Sequence, residues 1–218
     1  LFDLTAGDPG VRPDRAMGYE ACLRAEEENY RDGNYGAGCG ATVGKFAGMD
    51  YCMKSGIGSC ALQVGELQVG AVVAVNALGD IYDWRSGQKL AGLLAEDRRS
   101  FRRTEDLMYA DTRTVENKFT GNTTIGVVIT NADFQKASLC KIAGMAQDGY
   151  ARSIRPVHTT ADGDSIYAVS VRDAEGKKVS ADQDLVGTLA AEVMSEAITA
   201  AVKSARSAYG LPAWEDIS

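Results

Sequence analysis

Gly65-Glu66 is a two-residue break between β-rich segments at 61–64 and 67–75. Two residues cannot carry a crossover, so these segments can pair only as an antiparallel hairpin. A third strand is expected at 81–84, after the turn residues Asn76-Ala77-Leu78-Gly79. A fourth is expected at 125–129 and a fifth at 165–171, behind the Ala161-Asp162-Gly163-Asp164 turn.

Around these strands the apolar spacing changes to that of helices. Leu139, Ile142 and Met145 mark one helix at 134–151. Leu185, Leu189, Val193 and Ile198 mark another at 182–207, with Ser180 as its N-cap and Gly210 and Pro212 beyond its end. A first helix is expected from Pro13-Asp14 to Asn29, its apolar positions including Met17, Ala21 and Leu23. The acids at 26–28 oppose its dipole and read as a solvated face. Residues 85–120, with Arg98, Arg99, Arg102 and Arg103, read as a polar surface excursion. Central strands with flanking helices predict a sheet sandwich covered by helices.

A length of 218 residues allows one domain or two small ones, and a net charge of -7 disfavours nucleic acid and anionic membranes as partners. No uninterrupted apolar run of bilayer length and no signal peptide is visible. Five cysteines without a Cys-x-x-Cys pair suggest free thiols and a cytoplasmic setting. Leu1-Phe2-Asp3-Leu4 reads like the end of a strand, so the expectation is a preceding segment that this chain lacks.

One histidine, His158, and no Gly-x-Ser-x-Gly elbow make serine-histidine chemistry hard to assemble. Gly121-Asn122-Thr123 offers another route. If the chain is cut before Thr123, its hydroxyl becomes a nucleophile and its freed amine, with pKa near ~8, becomes the base. Asp162 and Asp164 form either a carboxylate pair that orients an amine or an ordinary solvated turn. Lys45, in the glycine-dense stretch 33–48, is either a surface charge or an ammonium delivered to a reaction centre. Asn76 is either a side-chain donor to an oxyanion or, at less cost, a turn former.

His158 reads as a structural hydrogen-bonding residue rather than a catalytic one. The glycine stretch is no phosphate loop, since Cys39 stands where the first glycine belongs and Phe46 follows the lysine. Its Gly36-x-Gly38-x-x-Ala41 pattern follows a helix, the wrong context for a dinucleotide site. Neither His/Cys clustering nor carboxylate spacing suits a metal.

Three segments together resemble one family: Gly-Ala-Gly-Cys-Gly-Ala-Thr-Val-Gly-Lys at 36–45, Gly-Asn-Thr-Thr at 121–124, and Arg-Pro-Val-His-Thr at 155–159 running into Asp162-Gly163-Asp164. The family is the DmpA-like aminopeptidases, which includes β-peptidyl aminopeptidases and nylon oligomer hydrolases, and the motifs look most like the latter branch. The resemblance implies an αββα sandwich of the N-terminal-nucleophile type, α+β in class, formed by a single domain over 1–218. It implies self-cleavage between Asn122 and Thr123, giving fragments 1–122 and 123–218. Thr123 then matches the nucleophile, Asp162 and Asp164 the pair around it, Lys45 the lysine near the cleavage site and Asn76 the asparagine of the oxyanion region.

The implied activity is hydrolysis of peptides or ω-amino-acid amides without a metal or organic cofactor, in a homo-oligomer of processed heterodimers. The family's upstream Gly-Gly-Ser-Ala-Tyr/Phe-Gly-Leu segment has no counterpart here. The rival readings are an acyltransferase of the ornithine acetyltransferase type, which shares the self-cleaving threonine, and an unprocessed binding remnant.

Overall fold

The computed structural model describes residues 1–26, 29–110, 121–172 and 176–217. Its main sheet has the order β3-β4-β7-β9, formed by β3 (Ile57–Val64), β4 (Leu67–Ala74), β7 (Ile125–Thr130) and β9 (Ser165–Ser170). The smaller β1 (Thr42–Val43) and β2 (Met53–Lys54) pair with each other. A three-stranded sheet has the order β6-β5-β8, from β5 (Asp80–Tyr82), β6 (Lys89–Ala91) and β8 (Ile154–Arg155).

The hairpin expected at Gly65-Glu66 joins β3 to β4, in register from Ile57↔Ala74 to Val64↔Leu67. β7 pairs antiparallel with β4, but β9 joins β7 in parallel. A parallel neighbour needs a crossover. Here the crossover contains α3 (Lys136–Ser153), whose buried stripe is Ile142, Ala146, Gly149, Tyr150 and Ser153.

α4 (Gln183–Ser204) packs beside α3 on the same face of the sheet. Alternation selects that face: Leu67, Val69, Ala71 and Val73 of β4 and Val128 of β7 are buried in the core with Val193, Met194, Ala197 and Ile198 of α4. Among the described residues only α4 is long and apolar enough to cross a membrane, yet 67% of its most apolar stretch is buried inside the protein. It is a core helix here. The opposite face of the sheet stays partly open, with Tyr167 and Val169 exposed.

Several boundaries differ from expectation. α1 (Arg15–Leu23) starts after its Asp14 cap but stops well before Asn29, and none of its residues is buried. Without a packing partner, a short helix has little to sustain it past its first turns. Residues 27 and 28 of the acidic cluster lie outside the described residues. α4 is capped by Asp182, whose carboxylate accepts the N–H groups of Asp184 and Leu185, rather than by Ser180. The helix ends at Ser204, where Ala205 turns extended, ahead of Gly210 and Pro212.

The excursion expected at 85–120 is in part core. Leu90, Ala91, Leu93 and Leu94 are buried in and after β6, and Thr104 is buried at the start of α2 (Thr104–Ala110). Asp80 draws the segment inward by accepting the N–H groups of Leu93 and Thr104, at 2.8 Å each, and by pairing with Lys89. Among the described residues of this segment, the turn at 85–88 and the arginine-rich tip at 96–103 are exposed. Residues 111–120 lie outside the described residues. The short α5 (Trp214–Ile217) closes the described chain.

The closest approach of sheet to helix is at Gly58, where an added Cβ would lie 2.1 Å from the Ala197 carbonyl oxygen and 2.3 Å from the Ala201 nitrogen. Backbone on both sides leaves nothing flexible to yield. Gly58→Ala is therefore expected to destabilise the fold by about 1–3 kcal/mol, the usual cost of overpacking. Gly144→Ala in α3, where a Cβ meets nothing within 4 Å, is expected to be neutral or stabilising by up to about 1 kcal/mol. Urea unfolding midpoints of the two variants check the pair, and equal midpoints would refute this packing argument.

Candidate active site

The strand registers build the site. Ala74 pairs with Ile125 between β4 and β7, so continuing the antiparallel register by two residues sets Asn76 opposite Thr123. The Thr123 N–H accordingly donates to the Asn76 carbonyl at 2.9 Å. Ile125 pairs with Ser165 in the parallel ladder, so continuing backwards sets Asn122-Thr123-Thr124 beside Asp162-Gly163-Asp164.

That ladder brings the Gly163 N–H to 2.9 Å from the Asn122 carbonyl oxygen. The Thr123 hydroxyl donates to the same oxygen at 2.5 Å. A Cβ at Gly163 would crowd the Thr123 hydroxyl, lying 2.9 Å from Oγ1, so a side chain there would have to displace it. The carbonyl before Thr123 thus carries two donors, one from the neighbouring strand and one from the adjoining hydroxyl.

Asn76 joins the surrounding segments. Its side-chain nitrogen donates to the Gly121 and Phe2 carbonyls, at 3.0 Å each. Its side-chain oxygen accepts the Thr42 N–H at 3.0 Å and Lys45 Nζ at 2.8 Å. Lys45 Nζ also donates to the Asn76 backbone carbonyl at 3.2 Å, the oxygen that receives the Thr123 N–H. In the intact chain the side-chain donor expected to meet an oxyanion therefore holds Gly121 in place, and the Asn122 carbonyl takes a backbone donor, Gly163, beside the Thr123 hydroxyl.

Lys45 is buried, against the surface-charge alternative. The chain bends it inward at Gly44, which has φ +74° and sits so close to Gly92 that a Cβ would lie 2.1 Å from the Gly92 carbonyl carbon. Burial lowers the Lys45 pKa to about 7, opposed by the nearby Cys52, Asp162 and Asp3. Near neutral pH this group can accept or release a proton.

The two aspartates are held by backbone around the junction. Asp162 accepts the Leu78 N–H at 3.2 Å, the Thr159 N–H at 3.1 Å and the Thr159 hydroxyl at 2.5 Å. Asp164 accepts the Thr124 N–H at 2.8 Å and faces His158 Nδ1 at 2.9 Å. Burial raises the Asp164 pKa, opposed by the Thr124 N–H and His158. His158 is thus the hydrogen-bonding partner of a buried carboxylate.

The expected site residues Thr123, Asn122, Asp162, Asp164, Lys45 and Asn76 form one cluster. Sequence reasoning missed the Gly163 N–H, the Thr42 N–H, Thr159 and the Tyr150 hydroxyl, which donates toward the Thr124 carbonyl at 3.3 Å. Two of these are backbone groups, for which residue identity carries no signal. Among the described residues no grouping of His, Cys, Asp and Glu could hold a metal ion. An open hollow on the outer sheet face, lined by Ser59, Gln63, Gln68 and Ile129 among others, includes none of the cluster.

Comparison with known proteins gives this geometry a setting. The Peptidase family S58 profile matches residues 1–213. An uncharacterized aminopeptidase of Mycobacterium leprae is 34% identical over 234 residues, covering 98% of this chain and 62% of that protein. A 6-aminohexanoate-oligomer endohydrolase of Kocuria sp. is 28% identical over 214 residues, covering 93% of this chain and 59% of that protein. This chain therefore spans about three fifths of the length of these relatives. The solved L-aminopeptidase D-Ala-esterase/amidase of Ochrobactrum anthropi, described as a variant of the Ntn hydrolase fold, superposes with a TM-score of 0.59 at 18% identity. That match covers 87% of this chain and 49% of the solved one, and the shared fold is the N-terminal-nucleophile type expected from the sequence.

Burying Lys45 has a measurable consequence. Its folded pKa of about 7 lies below the ordinary 10.5, so the unfolded chain binds more protons between those values and this group's contribution to stability rises with pH there. Below pH 7 its burial cost is fully present. Lys45→Met leaves both Asn76 oxygens with a remaining backbone donor, so the variant should melt higher than wild type at pH 6. The gap should narrow towards pH 9. Thermal midpoints at the two pH values test this, and a lower midpoint for the variant at pH 6 would overturn it.

Proposed function

The chain belongs to peptidase family S58, and from that premise we propose that it is an autoprocessing amidohydrolase whose nucleophile is Thr123. The observation carrying this reading is the carbonyl of Asn122, which accepts both the Thr123 hydroxyl at 2.5 Å and the Gly163 N–H at 2.9 Å. A nucleophile and an oxyanion donor meet at one peptide bond.

In the proposed cleavage, Thr123 Oγ1 attacks the Asn122 carbonyl carbon. The oxyanion forms at the oxygen already bonded to Gly163, a type of donor worth about 3–4 kcal/mol in the transition state. The carbon–nitrogen bond then breaks, an ester forms to Oγ1, and the proton lost by the hydroxyl ends on the departing Thr123 nitrogen. Lys45 Nζ touches the Asn76 carbonyl that also holds this nitrogen, and its pKa of about 7 suits the transfer. Water cleaves the ester, leaving Asn122 as a carboxylate and Thr123 with a free amine and hydroxyl.

The mature reaction repeats this chemistry on an external amide. The freed amine of Thr123 takes the hydroxyl proton, the substrate acyl group passes to Oγ1, the amine product leaves, and water releases the acid. Asp164 holds the Thr124 N–H and so fixes the residue following the nucleophile. The substrates proposed are peptides or ω-amino-acid amides with an exposed amino terminus, whose ammonium the Asp162 and Asp164 carboxylates attract. Relatives named as an aminopeptidase and as a 6-aminohexanoate-oligomer endohydrolase support that class.

Intact mass spectrometry under denaturing conditions tests the proposal. The wild-type chain should separate into fragments 1–122 and 123–218, whereas Thr123→Ala should remain one chain. Cleavage of the variant at the same bond and rate would remove Thr123 from the mechanism.

A further inference from the structure

Lys54 is fully buried on β2, and among the described residues no carboxylate hydrogen-bonds its ammonium. An ammonium in that position is among the costliest groups to bury. It is surrounded instead by backbone carbonyls: Nζ donates to Gly38 at 2.8 Å, to Ala41 at 3.2 Å and to Ser55. Burial lowers its pKa to about 8, with Cys39 and Asp3 the nearby groups that oppose the shift. The three carbonyl dipoles offset part of the ammonium's lost hydration.

This arrangement leads to the cleavage junction. The Ala41 carbonyl also accepts the Ser55 N–H at 2.9 Å, so the loop closes over β2. The next residue, Thr42, is the partner of Lys54 in the β1–β2 ladder. Its N–H at 3.0 Å and hydroxyl at 3.3 Å both donate to the Asn76 side-chain oxygen. With that oxygen turned towards Thr42 and Lys45, the amide nitrogen turns towards the Gly121 carbonyl. The direction of the Asn76 amide is set by the donors on its oxygen side.

We propose that Lys54 is a positioning residue for chain cleavage. Its ammonium gathers the Gly38, Ala41 and Ser55 carbonyls so that Thr42 holds the Asn76 side chain against Gly121, next to the Asn122–Thr123 bond. The inference rests on the proposed self-cleavage, and its test separates the two.

The readout is NMR hydrogen exchange of side-chain amides in chains carrying Thr123→Ala, with Lys54 intact or replaced. Asn131 is the internal reference, because its side-chain nitrogen donates to the Glu66 carbonyl at 2.8 Å near the β3–β4 turn. Lys54→Met should speed Asn76 exchange about tenfold relative to Asn131, as loss of one buried hydrogen bond implies. Lys54→Gln, which keeps two N–H donors, should show a smaller change and decides the matter if the Met variant fails to fold. With Thr123 present, Lys54→Met should also slow cleavage about tenfold. Equal acceleration at Asn76 and Asn131, or none at Asn76, would overturn the inference. A wild-type chain that never cleaves would count against the proposed function, while the Asn76-to-Asn131 ratio would still decide the Lys54 link.

Discussion

Asn76 is the polar joint on which the cluster depends. Its two oxygens and its side-chain nitrogen bind Thr42, Lys45 and Phe2 from the N-terminal region and Gly121 and Thr123 from the β7 approach. In a buried setting such bonds are strong and each missing partner is costly, so the joint favours one arrangement of three chain segments. It also holds the Thr123 side of the Asn122–Thr123 bond, while Gly163 holds the Asn122 side. Both ends of that bond are therefore anchored independently of it.

The sheet carries this precision to the junction. β4 and β9 flank β7, and each ladder continues past its last regular pair to supply one wall: Asn76 on one side and Asp162-Gly163-Asp164 on the other. Helices α3 and α4 secure the ladders from the inner face, with glycines where backbone approaches backbone. A change in register by one residue would exchange Gly163 for an aspartate beside Thr123 and turn the buried row of β7 outward. Core packing and site geometry are thus set by the same alignment.

Two buried lysines run against stability, and they sit in the same neighbourhood. Burial lowers both pKa values, to about 7 for Lys45 and about 8 for Lys54. Their partners are backbone and amide oxygens, the hydrogen bonds that keep each ammonium in place. Hydrophobic replacements of similar volume would pack at less cost, as buried charges elsewhere show. Both lie near the Asn122–Thr123 bond for which cleavage is proposed, and the roles proposed for them are in that cleavage rather than in folding.

Much of this organisation is legible in the chain. The two-residue break at Gly65-Glu66 dictates an antiparallel hairpin because no crossover fits, and the spacing of Leu139, Ile142 and Met145 dictates a helix because only that period lines up one face. The candidate side chains Thr123, Lys45, Asn76, Asp162 and Asp164 were recognisable from their types and motif context. What the tertiary structure alone decided is who faces whom. The parallel pairing of β7 with β9 depends on how α3 packs, so nothing local in the sequence places Gly163 beside Asn122. The inward course of 89–94 likewise depends on the distant Asp80, which overrides the polar composition around it. Local propensity and periodicity are written into neighbouring residues, whereas register and backbone donors emerge only when distant segments satisfy one another's buried polar groups.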